Sequence, residues 1–318
     1  MLHRPFAAAL AVCLALVLAA CGGSDEEAAA PAPATSTATE PAASPFPVTV
    51  EAENGALVLE ERPDRIVSLS PTATESLFAL GADDQVIAVD DQSTFPAEAP
   101  RTSLSGFQPN VEAIAGYEPD LVVAGFDPPG LVDGLEAVGV PVLLQPAATN
   151  LEEAYEQIEE LGAATGNTEE AEELVESMEG RIGELVESVP AGAEGLSVYH
   201  EVSPDFFSAT SQTFIGSVYE LLGLENIADE AKAGAPDYPQ LSAEYIVSAN
   251  PDVIVLADTK CCGQTAAKLA GRPGWGEMKA VADGDVVPVD DDIASRWGPR
   301  TVDFVEVVVE GLGEAEGS

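Results

Sequence analysis

The sequence predicts an α/β protein of two similar lobes that one long helix connects. Three observations predict this class: short apolar segments alternate with segments of helical spacing, the alternation occurs twice, and an amphipathic stretch separates the two occurrences. Strands that alternate with helices typically form parallel sheets covered by helices. The length of 318 residues favours two domains, and a hydrophobic fraction of 46% is sufficient for folded cores.

Residues 1–20 are typical of an export signal. His3 and Arg4 precede an apolar run that ends at Leu18-Ala19-Ala20-Cys21. The run is shorter than the ~20 apolar residues that a membrane-spanning helix needs. The Leu-Ala-Ala-Cys sequence resembles the lipobox of bacterial lipoproteins, which implies that Cys21 is lipidated. We therefore expect a protein that lipid chains hold to the outer face of the cell membrane.

The segment from Cys21 to residue 47 is predicted to be a flexible linker, because Ala, Pro, Ser, Thr, Gly and Glu dominate it. The N-terminal lobe, residues 48–150, begins with a hairpin around Asn54-Gly55, a strong two-residue turn signal. Its further predicted elements are a strand at Arg65–Leu69, a helix at Ser76–Leu80, a strand at Val86–Val89, a helical turn at Asn110–Tyr117 and a strand at Leu121–Ala124.

Residues 151–190 are predicted to bridge the lobes. A first helix at Leu151–Leu161 is expected to stop near Gly162–Gly166, and a second runs from Thr168 to the residue before Pro190. Apolar residues of the second helix follow the +3/+4 spacing of one face. A helix of this length spans ~30 Å, so we expect a rigid bridge that lets the lobes move little.

The C-terminal lobe, residues 191–318, repeats the order of the first. In both lobes a Glu, an Ile and a Pro-Asp pair recur at constant spacing, in the segments that start at Glu112 and Glu244. The sequence thus predicts two Rossmann-like lobes bridged by one long rigid α-helix. The elements predicted in the second lobe are a strand at Leu196–His200, helices at Phe214–Leu222 and Ala243–Ala249, and a strand at Val253–Leu256.

The charge and the scarcity of histidine exclude several functions. A net charge of −44, from 56 acidic and 12 basic residues, is unsuited to binding nucleic acid or anionic lipid. After export His200 is the remaining histidine, so the chain offers neither a nucleophile with a base nor a ligand set for zinc. It also lacks a phosphate-binding loop. We therefore expect no enzyme, no resident metal and no cofactor.

The adjacent Cys261 and Cys262 are the cysteines that remain after the signal and the lipidated residue. Outside the cytoplasm such neighbours either form a vicinal disulfide or stay reduced, and we favour the disulfide, with a structural role in the loop before Gly263.

A ligand cleft is expected where the carboxyl ends of the strands of the two lobes face each other. Six basic residues also cluster in the C-terminal lobe, where they either face an anionic ligand or form surface ion pairs. The candidates after strands are Ser70-Pro71, Phe126-Asp127, Tyr199-His200 and Asp258–Lys260, the notable loop aromatics are Phe107, Tyr238 and Trp297, and the basic residues are Lys260, Lys268, Arg272, Lys279, Arg296 and Arg300.

Several motifs, in order, resemble the substrate-binding proteins of ABC importers for vitamin B12 and ferric siderophores. They are Arg65-Ile-Val-Ser-Leu-Ser-Pro-Thr-Ala-Thr-Glu, Leu80-Gly81, Asn110-Val-Glu-Ala-Ile and Glu118-Pro-Asp-Leu-Val-Val, and the similarity runs from Arg65 to Val309. The resemblance implies the class III periplasmic-binding-protein architecture, and a monomer that carries a small ligand to a membrane permease with its ATPase.

The resemblance also implies roles for single residues. Glu112 and Glu220 correspond to the glutamates that dock to the permease, whereas Phe107, Phe126, Tyr238 and Arg296 correspond to ligand-contacting residues of B12-binding proteins. The expected ligand is a corrinoid or a ferric siderophore, with a slight preference for the corrinoid. A haem or another anionic chelate, and less so a lipoprotein without a transport role, remain alternatives.

Overall fold

The computed structural model describes residues 45–230 and 236–315. The expected export signal, the lipidated Cys21 and the linker as far as residue 44 lie outside these described residues. The described chain begins with the predicted hairpin, in which β1 (Val48–Ala52) pairs antiparallel with β2 (Gly55–Leu59) around Asn54-Gly55. Gly55 has a φ of 110°, a left-handed conformation that glycine adopts without steric cost.

The N-terminal lobe is a four-stranded parallel sheet covered by helices, as the alternation predicts. Its strand order is β4-β3-β5-β6, and every pairing is parallel. Most strand residues are buried, because helices cover both faces of a parallel sheet. The elements are β3 (Ile66–Leu69), α1 (Pro71–Ala79), β4 (Val86–Val89), α2 (Val111–Ala115), β5 (Leu121–Ala124), α3 (Leu131–Glu136) and β6 (Val142–Leu144).

The first helix of this lobe begins at a start signal in the sequence. The Ser, Pro and Thr residues from Ser70 onward, followed by Glu75, are typical of a helix start, and α1 begins at Pro71, ahead of the expected helical span Ser76–Leu80. Ser70 caps it, because its Oγ accepts a hydrogen bond from the backbone N–H of Ala73 at 3.3 Å, and proline is favourable at the first helical position. The helix ends before Gly81, as expected.

Two helices bridge the lobes, α4 (Leu151–Thr165) and α5 (Thr168–Glu187). The expected stop near Gly162–Gly166 is confirmed, because α4 ends at Thr165 and Gly166 caps it in the left-handed conformation. A Cβ atom at Gly162 would lie 2.4 Å from the Cβ of Ala171, so this glycine allows α4 and α5 to approach closely without ending the helix.

The second of these helices, α5, belongs to both lobes. Ala171, Val175 and Met178 pack in the core of the N-terminal lobe, whereas Ile182 and Leu185 pack in the core of the C-terminal lobe. One continuous helix therefore contributes to two hydrophobic cores, as a rigid bridge should.

The C-terminal lobe repeats the topology of the first. Its strand order β10-β9-β7-β8 matches β6-β5-β3-β4 strand for strand, and all pairings are parallel. In each lobe the Glu and Ile of the repeated motif lie in a helix, α2 or α7, and its Pro-Asp pair directly precedes a strand, β5 or β9. The elements are β7 (Ser197–Glu201), α6 (Phe214–Leu221), β8 (Glu225–Asn226), α7 (Ala243–Ala249), β9 (Val253–Leu256), α8 (Thr259–Cys262), α9 (Ala266–Ala270), α10 (Lys279–Asp283), β10 (Val286–Pro288), α11 (Asp291–Ala294) and α12 (Thr301–Ala315).

Candidate ligand cleft between the lobes

A cavity of about 340 Å³ lies where the two lobes meet. Loops that follow β3, β4 and β5 form one side, and residues 292–297 of the C-terminal lobe form the other. This is the expected location at the carboxyl ends of parallel strands. The lining residues are Leu69, Ser70, Pro71, Thr72, Asp90, Gln92, Gly106, Phe107, Gly125, Phe126, Asp292, Ser295, Arg296 and Trp297.

Exposed aromatic rings line the N-terminal side of this cavity. Phe107 is 72% exposed and Phe126 is 54% exposed, although burying either ring is favourable. Each follows a glycine that lies close to the first strand: a Cβ atom at Gly106 would approach the carbonyl oxygen of Leu69 to 2.4 Å, and one at Gly125 would approach Ser70 Oγ to 3.1 Å. The two Gly-Phe pairs therefore place exposed aromatic rings beside the carboxyl end of β3, where they line the cavity.

A buried polar network supports the same side. The hydroxyl of Thr74 lies 2.9 Å from the hydroxyls of both Ser68 and Ser93. Asp90 accepts hydrogen bonds from the backbone N–H and the hydroxyl of Ser93, at 2.9 and 2.6 Å. Burial raises the pKa of Asp90, and the bonds from Ser93 offset part of this rise. The network fixes the loop that carries Gln92 into the cavity.

Arg296 and Trp297 form the C-terminal side of the cavity. Trp297 donates its indole N–H to Gln157 Oε1 of α4 at 2.8 Å. Arg296 is only 8% exposed, and its guanidinium bonds to Glu75 at 2.6 Å and to Asp292 at 2.9 Å. The cavity thus combines aromatic surfaces with one cation that carboxylates already neutralise.

The other clustered basic residues do not line this cavity. Lys260 pairs with Asp290 and Asp292, Lys279 with Asp252 and Asp283, and Arg300 with Glu75. Arg272 makes paired hydrogen bonds of 2.6 Å to the buried Glu201, and Lys268 donates to the carbonyl oxygen of Gly263. Surface ion pairs, the second interpretation of the cluster, therefore hold for Lys260 and Lys279, whereas Arg272 and Arg300 pair with the buried Glu201 and Glu75.

The expectation that Tyr199 and His200 follow a strand and face the cleft is wrong. Strand β7 continues to Glu201, and both side chains are completely buried within the lobe. His200 Nδ1 lies 2.6 Å from the hydroxyl of Tyr219, and burial lowers the pKa of His200 to about 3. The imidazole is a neutral core group.

Tyr238 lies at the carboxyl edge of the second sheet. Its side chain is half-exposed and hydrogen-bonds to Thr213, the residue that caps α6. It is not among the residues that line the cavity. Its role in ligand binding stays a prediction.

Glu112 and Glu220 are both solvent-exposed. Glu112 is in the first turn of α2, and Glu220 is near the end of α6. The two helices are not equivalent in the repeat, since α2 precedes β5 whereas α6 follows β7. Each lobe thus presents one of these carboxylates to solvent.

Cys261 and Cys262 form a vicinal disulfide at the end of α8. The loop expected before Gly263 is this short helix. Asp291 holds it in place, because its carboxylate accepts hydrogen bonds from the backbone N–H groups of Lys260 and Cys261 at 2.8 and 2.6 Å. The disulfide helix therefore packs beside the segment that forms the C-terminal wall of the cavity.

Two polar residues of the site had no sequence signal. Glu75 is one of 56 acidic residues, and Asp292 is one of three consecutive aspartates. The repeated Gly-Phe pair was the available signal for the aromatic wall.

In the described part of the chain, no three or more His, Cys, Asp or Glu side chains are grouped to hold a metal ion. No helix of residues 45–230 or 236–315 is long and apolar enough to cross a membrane.

The two parallel-sheet lobes, the bridging helix and the interlobe cavity define a two-lobed solute-binding protein. Residues 66–293 match the periplasmic binding protein family, and the chain belongs to this family. Its members bind solutes outside the cytoplasm, so the chain is a binding protein and not an enzyme.

Three similar proteins illustrate the match. The ABC transporter substrate-binding lipoprotein YvrC of Bacillus subtilis is 32% identical over 277 residues, with 84% of this chain and 86% of YvrC covered. A cobalamin-binding protein of Halobacterium salinarum is 34% identical over 274 residues, with 82% and 73% covered. The structure of the vitamin B12 binding protein BtuF of Vibrio cholerae is 25% identical, with a TM-score of 0.67 and 80% and 99% covered.

Proposed function

We propose that this protein is the ligand-capturing component of an ABC importer and that its ligand is a corrinoid. The observation that carries the proposal is the cleft itself, in which Phe107, Phe126 and Trp297 offer aromatic surface around a neutralised cation. A large, flat and uncharged macrocycle gains from burying such surface. Relatives named as cobalamin-binding and vitamin B12-binding proteins support the same ligand class.

Haem is a weaker candidate. Proteins hold haem iron with His, Cys, Met or Tyr side chains, and no such residue is among the described residues that line the cavity. Ferric siderophores need no protein ligand to their iron and remain the alternative within the family.

Isothermal titration of the purified protein tests the ligand class. We expect cyanocobalamin to bind with a dissociation constant below about 1 μM, and haem and ferric siderophores to bind more weakly. Replacing both rings, Phe107→Ala with Phe126→Ala, should weaken cyanocobalamin binding by at least about tenfold, since each ring contributes ~1 kcal/mol or more of buried contact. Val138→Ala, at an exposed apolar residue outside the cavity, is the control. Tighter binding of a siderophore than of the corrinoid would contradict this assignment.

We further propose that the mature protein begins at a lipidated Cys21, which tethers it to the outer face of the cell membrane. A relative named as a lipoprotein supports this anchor. Cys21→Ser should release the protein from the membrane fraction into the soluble extracytoplasmic fraction on cell fractionation. Retention of the serine variant in the membrane fraction would mean that another segment anchors the chain.

A further inference from the structure

The guanidinium of Arg296 is the one cationic group among the described residues that line the cavity, and both of its terminal nitrogens have partners. It donates to Glu75 Oε1 at 2.6 Å and to the carbonyl oxygen of Gln92 at 3.1 Å, and it lies 2.9 Å from Asp292 Oδ1. Glu75 and Gln92 belong to the N-terminal lobe, whereas Arg296 and Asp292 belong to the C-terminal lobe. The group therefore joins the lobes at the base of the cleft.

Glu75 is the centre of this arrangement. Its side chain is 1% exposed, and besides Arg296 it accepts two hydrogen bonds from Arg300, at 2.7 and 2.6 Å. Charge-assisted hydrogen bonds of this kind are short and strong, and they act through a low local dielectric. Because Arg300 lies outside the cavity lining, Glu75 connects the cavity cation to a second cation behind it.

The other charges at the cavity are acidic. Asp90 and Asp292 both line it. Asp292 also pairs with Lys260, and Thr94 of the other lobe donates a hydrogen bond to it at 3.1 Å. An anionic ligand that enters the cavity meets these two carboxyl groups and finds Arg296 already bound to a buried carboxylate.

We propose that Glu75 is a specificity-determining residue: by neutralising and fixing Arg296, it makes the cleft select an uncharged ligand over an anionic chelate. Glu75 is a positioning residue, because it acts on the ligand through Arg296 and does not itself line the cavity. The inference rests on the proposed function, since it assumes that the ligand binds in this cavity.

Two variants isolate the charge of Glu75. Arg300→Gln leaves Glu75 paired with Arg296 alone, so that their charges cancel. Adding Glu75→Gln to Arg300→Gln replaces this carboxylate with an uncharged amide that still accepts the hydrogen bond, and leaves Arg296 with Asp292, a carboxylate that it shares with Lys260. The two variants therefore differ in the net charge around Arg296, and both keep a hydrogen-bond acceptor for its guanidinium.

The ligands for this test differ mainly in charge: an anionic ferric tris-catecholate chelate, an uncharged ferric trihydroxamate chelate, and cyanocobalamin. Isothermal titration at low ionic strength should show that the double variant binds the catecholate at least about tenfold more tightly than Arg300→Gln does, relative to the two uncharged ligands. The gain should shrink at molar salt, because salt screens the freed charge.

A surface variant tests, without changing buried charges, whether a cation that no carboxylate neutralises favours the anionic chelate in this cavity. Ser295 is exposed and lines the cavity, so Ser295→Lys adds a cation that Glu75 does not neutralise. It should also raise the affinity for the catecholate chelate about tenfold relative to the uncharged ligands.

Each outcome has a definite meaning. If the wild-type protein binds cyanocobalamin but the double variant and Arg300→Gln have the same ratio of anionic to uncharged ligand affinity, Glu75 is not a specificity determinant and the proposed function stands. If the wild-type protein binds none of the three ligands, the proposed function is wrong and this inference fails with it.

Discussion

At the scale of single residues, one buried cluster of the C-terminal lobe holds two carboxyl groups but a single cation. Glu201 and Asp258 are both completely buried, and Arg272 neutralises one of them through its paired bonds to Glu201. Neither carboxyl oxygen of Asp258 has a hydrogen-bond donor. Burial, and then the neighbouring Glu201, raise the pKa of Asp258 to about 7. Protonation of Asp258 removes the charge of a carboxylate that has no hydrogen-bond donor, beside a second carboxylate that Arg272 already neutralises.

The proton of Asp258 predicts a pH-dependent stability. The native Asp258 keeps its proton up to about pH 7, whereas the unfolded chain releases it near the ordinary value of 3.8. Between these pH values the native state binds more protons, so the free energy of unfolding falls as the pH rises. Asp258→Asn keeps a hydrogen-bond donor and does not titrate.

Urea denaturation at pH 5 and pH 8 measures the effect. From pH 5 to pH 8 the wild-type protein should lose about 2–3 kcal/mol more stability than Asp258→Asn, at ~1.4 kcal/mol per pH unit over the two units in which the proton is lost. His200 remains in both proteins, so its own contribution cancels. The exposed Asp133→Asn is the control and should follow the wild type. Equal losses in all three proteins would show that Asp258 is ionised in the native state.

Some residues of the cavity could be predicted from the sequence and others could not. Phe107 and Trp297 stand out as large aromatic residues among Gly, Pro and polar neighbours, and Phe126 by its place after a strand, and all three line the cavity. Tyr238 has the same kind of neighbours but does not line it. Tyr199 and His200 were misplaced because the end of a strand is uncertain by one or two residues. Glu75 had no signal, because its partners Arg296 and Arg300 are more than 200 residues away in the chain.

At the scale of secondary-structure elements, the long amphipathic helix, the apolar strands and the repeated segments were predictable, whereas the short helices between residues 259 and 294 were not. The bridging helix α5 and the repeated pair of α2 with β5 stand out by their spacing, and the structure agrees with both. The helices between residues 259 and 294 have only four or five residues each. Such helices are too short for a hydrophobic period, and caps such as Thr265 and Asp290 define them instead.

The exposed ends of two helices carry the next prediction. We expect Glu112 of α2 and Glu220 of α6 to bind basic residues of the permease, so Glu112→Ala with Glu220→Ala should abolish uptake of labelled ligand by cells. Ligand affinity of the purified variant should change less than about twofold, because neither residue lines the cavity. Exposed charges of this kind contribute to binding only when a partner such as the permease presents complementary charges.

A matched pair of exposed glutamates on α5, Glu172→Ala with Glu176→Ala, is the control for this experiment. It removes the same charge from the bridging helix and should leave uptake unchanged. Normal uptake by the Glu112 and Glu220 double variant would exclude docking through these helix ends, and equal losses in both pairs would assign the effect to net charge.

At the scale of the whole molecule, charge is the unusual property. Most of the described basic side chains are used in ion pairs with carboxylates, so the net charge of −44 remains as unpaired acid. Much of it lies on the exposed face of α5, where Glu169, Glu170, Glu172, Glu173 and Glu176 are all exposed. Such a net charge favours solubility, but the carboxylates repel one another in the compact folded state.

Self-repulsion predicts that salt stabilises the protein. Raising NaCl from about 0.05 M to about 1 M shortens the screening length from ~13 Å to ~3 Å, which weakens the repulsion among carboxylates more in the compact state than in the expanded unfolded chain. We expect the midpoint of thermal unfolding to rise by about 5 °C, in line with ~2 kcal/mol for a protein of this size. Replacing the five exposed glutamates of α5 with glutamine should raise the midpoint at low salt and reduce its salt dependence. A midpoint that is independent of salt in the wild-type protein would mean that its surface carboxylates are too far apart to repel one another, and its acidity would then serve solubility alone.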